Sequence, residues 1–396
     1  MICQKLKETV NSPSSGVIRK MFEEGAILKQ KYGAENVYDF SLGNPDLDPP
    51  QKVLDAINQV VSEETHLSHG YMPNPGYVET RVAMAKKTEV EQGVAVDYSN
   101  VIMAVGAAGA LNVVMKTLLN PEDEVVVPCP YFAEYDHYIK NYGGNIMRVS
   151  TKRDFSLDIN AIKVALSEKT AAVLINSPNN PSGRIYSQEE ILELVQVLKE
   201  HGKATGRFPY LICDEPYRAI TYDNKKVASV FPYYDYSIIV TSFAKNLSLP
   251  GERIGYVCIN PSCPEKTDFL ACAIFATRTL GYVNAPAFFQ KVVALSWDAE
   301  CDYSLYEKRR NQLMQIMDEA GFEYARPEGA FYLFVKVPDN WNDDDMAYVN
   351  HLKKYNILCA PGSGFGGKGW FRIAYCVSEQ TILNSKNAWI KARKES

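Results

Sequence analysis

Several features that would have directed attention elsewhere are missing from this sequence. There is no surplus of positive charge: 42 Lys and Arg stand against 47 Asp and Glu, a formal net charge of −5. Such a balance gives no basic field to grip a phosphate backbone, which argues against a nucleic-acid partner. No stretch approaches 18 uncharged apolar residues, so no membrane span is expected. The nine cysteines are scattered, with no CxxC pair and no His/Cys grouping at zinc spacing, so no metal site is expected. Cys213 in "YLICDE" and Cys258 in "GYVCIN" lie inside apolar runs. They read as buried thiols kept reduced in the cytoplasm. The N-terminal "MICQKLKETVNSPSSG" has no apolar core of the kind a secretory signal needs. Internal repeats and low-complexity tracts are also lacking.

What the chain does have is size and alternation. Its 396 residues exceed one small core, and 46% hydrophobic with 22% charged residues is ordinary for a globular, multi-domain protein. Short apolar runs at 101–105, 124–128, 145–150, 171–176, 210–215, 237–242 and 254–259 read as buried strands. Helical patterns at 109–119, 131–142, 158–167 and 187–201 separate them. Apolar strands alternating with helices indicate an α/β fold, a three-layer α-β-α domain around a mostly parallel sheet. The last two runs are joined too closely for a helical crossover, so one of them is expected to run antiparallel. From residue 285 the pattern changes to a long helical stretch, "AFYLFVKV", a helix near 344–355, "WFRIAYC" and a final helix. That predicts a smaller α+β C-terminal domain. The expected division is 1–45 as a segment packing on the small domain, 46–284 as the large domain and 285–396 as the small one.

Open parallel sheets place ligands at the carboxyl ends of their strands, and the residues there form a set. After "VIMAV" comes "GAAGAL", a helix start whose free N–H groups and dipole suit an anion. "CPYFAEY" puts two aromatics after the second run, and "SPNNPSG" is a stiff turn that can hold an amide rigidly. "YLICDE" ends in an acid, Asp214, whose burial would require a cationic partner nearby. "TSFAKNLSLPGERIGY", residues 241–256, places Lys245 among small and apolar neighbours, with Arg253 eight residues on. A desolvated lysine has a lowered pKa and can act as nucleophile and base. An anion nest, a fixed amide, an acid, an amine and a second cation at one sheet edge describe a pocket for a ligand carrying a phosphate and a protonatable ring.

In "SLGNPDLDPP", "NSPNNPSG", "CDEPY", "SFAKNLSLPGERIGY" and "WFRIAYC", taken in that order across most of the chain, the sequence resembles the class I and II aminotransferases. These are fold-type-I pyridoxal-phosphate enzymes related to aspartate aminotransferase. The resemblance implies that Lys245 forms a Schiff base with pyridoxal 5′-phosphate and, once displaced by substrate, shuttles a proton. It implies that Asp214 pairs with the ring nitrogen and that Asn180 and Tyr217 bond the phenolic oxygen. Ser242, Arg253 and the amides of Ala107 and Ala108 would hold the phosphate, with Phe132, or its neighbour Tyr131, stacked on the ring. Arg372 would take the substrate carboxylate, with Gly43 closing over it, and Tyr71 would reach the phosphate of a second subunit in a homodimer. Ala107 and Ala108 stand where many relatives carry hydroxyls. Arg278, one residue out of register, and Arg19 are candidate cations for a distal carboxylate. The implied activity is transfer of an amino group from an L-amino acid to a 2-oxo acid. The alternative on the same scaffold is a C–S β-lyase or β-decarboxylase; a regulator with a DNA-binding module is disfavoured by the acidic charge.

Overall fold

The computed structural model describes residues 2–11 and 17–396. Its strands, in chain order, are β1 (Tyr38–Asp39), β2 (Val101–Ala104), β3 (Glu124–Cys129), β4 (Asn145–Ser150), β5 (Thr170–Asn176), β6 (Tyr210–Asp214), β7 (Ser237–Ser242) and β8 (Gly255–Ile259), followed by β9 (Tyr324–Ala325), β10 (Tyr332–Lys336), β11 (Ile357–Leu358), β12 (Ala360–Pro361) and β13 (Trp370–Ala374). Seven of them form one sheet in the order β2-β8-β7-β6-β5-β3-β4. All seven predicted runs are strands of this sheet, within a residue at each end. Its pairs are parallel except those of β8, which is antiparallel to both β2 and β7. The predicted antiparallel strand is therefore the last one.

Alternation along these strands builds the layers. In β5, Val173 and Ile175 enter one apolar cluster while Ala172 and Leu174 enter another. Side chains of a strand alternate between faces, so a strand apolar throughout feeds a core on each side. Helices cover both. The helix Gln188–Thr205 starts on a capping box, in which Ser187 accepts from the Glu190 amide and the Glu190 carboxylate accepts from the Ser187 amide. It stops at Gly206, which adopts φ 77°, a left-handed end that glycine adopts without a Cβ clash. The predicted helix 131–142 is shorter, Tyr135–Lys140, because the Tyr135 and Asp136 amides bond the carbonyls three residues back, Phe132 and Ala133, so the chain enters it through turns.

A second, antiparallel sheet runs β12-β13-β10-β9 and has its own cluster, which includes Trp389 and Phe371. Met21 and Phe40 from the start of the chain enter that cluster. β1 pairs in parallel with β11, and the Ala374 amide bonds the Phe40 carbonyl at 2.9 Å. Residues 41–43 are thereby carried to the end of β13. The helix Ala287–Ser296 packs on the helices Gln51–Ser62 and Val78–Gln92 beside the large sheet.

The segment after β6 is fixed by a buried ion pair. Glu215 is 4% exposed; Arg218 meets it at 2.9 Å and also donates to the carbonyls of Glu91 and Val227. Arg218→Leu would strand the Glu215 carboxylate, and a loss of about 3–5 kcal/mol is expected in urea unfolding at pH 8. Burial already raises the Glu215 carboxyl to about 7. Arg218 opposes that rise, so without it the carboxyl should take up its proton above pH 7, and the gap between variant and parent should narrow as pH falls toward 7.

Candidate active site

Because β2, β5, β6 and β7 point the same way, their carboxyl ends meet at one edge. Asn176 stands beside Asp214 in register, and Asp214 beside Val240. β7 runs into a single helical turn, Phe243–Asn246, and the chain returns through Pro250–Glu252 to β8. This short antiparallel return brings Arg253 back to the edge that Lys245 occupies. Arg253 bonds the Pro250 carbonyl at 2.8 Å and lies against Gly106, the first residue of the helix Gly106–Leu118. A Cβ on Gly106 would come within 2.8 Å of an Arg253 nitrogen, and its φ is +67°, so glycine alone lets the guanidinium close over the helix start. The free N–H groups of that turn face the same space as Ser242, the composition of an anion cup.

The cavity at this edge measures about 300 Å³. Eleven of the twelve residues singled out from the sequence line it: Gly43, Ala107, Ala108, Phe132, Asn180, Asp214, Tyr217, Ser242, Lys245, Arg253 and Arg372. Tyr71 does not; it is 93% exposed on the surface. Tyr131 is turned away, its hydroxyl donating to Asp136 at 2.7 Å and accepting from Arg148, which leaves Phe132 as the aromatic wall. Arg278 is exposed over the Phe275 ring at 5.1 Å, outside the cavity, and the Arg19 side chain lies outside the described residues.

Three charges define the interior. Asp214 is 5% exposed, and one carboxylate oxygen, Oδ2, accepts from the Tyr135 hydroxyl. The other, Oδ1, is buried without a partner. The cation expected beside Asp214 is absent among the described residues, because Arg218 is committed to Glu215. Burial lifts the Asp214 carboxyl to about 7, the Tyr135 hydrogen bond working the other way. In the same cavity Arg372 is 3% exposed. It donates to the Asn180 side-chain oxygen at 2.9 Å and the Ser41 carbonyl at 2.8 Å, and its Nε has no partner. The guanidinium lies between the rings of Tyr332 and Phe365, 4.5 and 4.6 Å from their centres. No carboxylate pairs with it among the described residues, so a buried cation faces the cavity and an anion is its natural complement.

In the same cavity the Lys245 amine donates to the Gly43 carbonyl at 2.7 Å. Burial brings it down from 10.5 to about 8, with the Arg372 and Arg253 charges adding to the fall and Cys376 opposing it. A fraction of neutral, nucleophilic amine therefore exists near neutrality.

Sequence reasoning missed Tyr332 and Tyr135. Tyr332 shares a 2.8 Å hydroxyl contact with Tyr217, faces Arg372, and lies so close to Gly43 that any side chain there would collide with it. In the sequence both are aromatics among aromatics, and only their unpaired polar neighbours mark them out. A larger cleft of about 640 Å³, beside Arg153, Arg184, Asp223 and Glu328, is lined by ion pairs that satisfy one another.

Comparison with known proteins agrees with this arrangement. Residues 35–385 match the family model "Aminotransferase class I and II". A crystal structure of an amino transferase from Eubacterium rectale is 37% identical, with TM-score 0.95, covering 100% of this chain and 99% of the other. A probable aspartate/prephenate aminotransferase of Aquifex aeolicus is 29% identical over 91% of this chain and 92% of its own length. An aromatic-amino-acid aminotransferase of Thermococcus litoralis is 27% identical over 98% of each.

The Lys245 amine should react as a base of unusual weakness. Its labelling by a small aldehyde with borohydride, followed by mass spectrometry across pH, is expected to rise with a midpoint near 8. Exposed lysines should rise near the ordinary 10.4.

Proposed function

The chain belongs to the class I and II aminotransferases and uses pyridoxal 5′-phosphate, and on that premise we propose that it moves an amino group from an L-amino acid to a 2-oxo acid, as aspartate aminotransferases do, with Lys245 as its working amine. The observation that carries this reading is that two uncompensated buried charges, the Asp214 carboxylate and the Arg372 guanidinium, line one cavity together with the Lys245 amine.

The donor set fits the cofactor. The unpartnered Oδ1 of Asp214 would accept from the ring N–H, and Asn180 and Tyr217 would serve the phenolic oxygen. The amides of Ala107 and Ala108, the Ser242 hydroxyl and Arg253 would hold the phosphate, and Phe132 would cover a ring face. When bound, the cofactor supplies an electron sink for the pair left as a bond to the substrate's α-carbon breaks. The chain's own residues do the rest. Arg372 and Asn180 orient the substrate carboxylate in a bidentate grip, and Gly43 closes backbone over it with no side chain in the way. Lys245 Nζ, its amine partly neutral near neutrality, would take the proton from the substrate's α-carbon and hold it for return. Burial against Phe331 and Tyr332 keeps water from competing.

Tyr71, fully exposed on its own chain, would complete the phosphate cup of a second copy, so the working form is a homodimer. The large domain is read as 46–284 and the small one as 285–396 with the first 45 residues packed on it. The shared cluster of Met21, Phe40 and Trp389 supports the latter, while Ala287–Ser296 packs with the large sheet. Nine free thiols support a cytoplasmic site.

Mixing the cofactor-loaded enzyme with aspartate should discharge the visible band of the lysine-bound cofactor to the amine form, and 2-oxoglutarate should restore it. Aspartate, aromatic, alanine and branched donors rank the specificity. Pyruvate and ammonia release from cystathionine without that spectral cycle would instead indicate a C–S lyase. Lys245→Ala should keep cofactor through its phosphate contacts while turnover falls by at least about 10⁴-fold. Borohydride should then no longer fix mass to the peptide 241–256. Light scattering should give twice the chain mass, and Tyr71→Phe should weaken cofactor retention without changing that mass.

A further inference from the structure

Asp214 is held in an unusual way for a carboxylate that has to work as an anion. It sits at the end of β6, 5% exposed, and no lysine, arginine or histidine pairs with it among the described residues. The nearest basic residue in the chain, Arg218, spends its charge on Glu215. The single side-chain partner of Asp214 is a neutral one, the Tyr135 hydroxyl, and it engages only Oδ2. The Asn176 amide bonds the Asp214 main-chain carbonyl at 2.8 Å, so the backbone is tied but the second carboxylate oxygen is not.

Tyr135 has little freedom of its own. It is 1% exposed, stands edge-on to Phe132 with centroids 5.6 Å apart, and stacks on Tyr131 at 6.3 Å. The short helix Tyr135–Lys140 and the residues leading into it thus present two things to the cavity at once, the Phe132 ring and a fixed donor behind Asp214. A tyrosine offers one O–H and no charge. Had the position carried arginine, both carboxylate oxygens would be satisfied and their charge neutralised inside the protein, leaving nothing for a ligand. Had it carried an apolar ring, the carboxylate could rotate, and burial would favour its protonated form.

On the reading that Asp214 meets the ring nitrogen of the cofactor, we infer that Tyr135 is a positioning residue that commits Oδ2 and so reserves Oδ1, still anionic, for the protonated nitrogen. It fixes the carboxylate without neutralising it.

The test compares two cofactors on the full-length cofactor-free chain: pyridoxal 5′-phosphate and its 1-carba analogue, in which C–H replaces the ring nitrogen. Tyr135→Phe should weaken the natural cofactor roughly 10- to 100-fold, the range for one hydrogen bond to a charged group, and leave the carba analogue unchanged. The preference for the natural cofactor, which needs Asp214 ionised, should be lost at a higher pH in Y135F than in the parent. Asp214 has lost the hydrogen bond that favoured its charged form. Melting temperature of the cofactor-free protein monitors folding. Equal weakening of both cofactors, which a packing role would produce, overturns the inference, as does no change for either or an unmoved pH midpoint. Asp214→Ala serves as the control: if it leaves the ratio of the two affinities untouched, the assignment of Asp214 itself fails, independently of Tyr135.

Discussion

An isolated charge in a protein interior is the costliest thing the chain can bury, and this fold buries two around one cavity without pairing them. Asp214 lacks a cation and Arg372 lacks an anion. Joining them would lower the energy of the empty protein and abolish the site. The structure prevents this by giving each charge neutral company: a tyrosine hydroxyl for the acid, and an amide oxygen, a carbonyl and two aromatic faces for the arginine. The desolvation that remains uncompensated is the binding energy available to a zwitterionic ligand pair.

Lys245 feels the same field. Two guanidinium groups and a dry setting press its proton off, while the backbone carbonyl of Gly43 holds the amine in place. The mixed sheet makes this geometry possible. A parallel crossover after β7 would have needed a helix of a dozen residues. The antiparallel return to β8 needs only a turn, and it brings Arg253 onto the helix start at Gly106, whose missing side chain admits it.

Much of this was legible in the amino-acid order. Strands buried on both faces are apolar throughout, which makes the central ones readable; β4, expected to be buried, is an edge strand that carries Asn145 and Arg148 and is buried only at Val149. The short link between 242 and 254 announces the reversed strand. Nine of the twelve proposed residues converge because the large sheet delivers its strand ends and turns to one edge, while Gly43 and Arg372 are brought there by the second sheet and the segment after β1. The failures share a cause. Asp214 was expected to have a cation, and Arg218 lies four residues away in sequence, but the turn points it at Glu215. Tyr135 and Tyr332 look like core aromatics, and only three dimensions reveal which polar atom each one touches. The expected helix near 131 is too long because residues 132–136 close three-residue turns, which the spacing of apolar residues does not distinguish from a helix.

The bond from Arg372 to the Ser41 carbonyl spans 331 positions of sequence. Its walls therefore come from both ends of the chain, since residues 41–43 are set by pairing with β11 and β13. A ribosome making this protein has extruded the Asp214 edge and the Lys245 turn well before β13 exists. The cavity therefore stays open on the Arg372 side until β13 closes on residues 41–43.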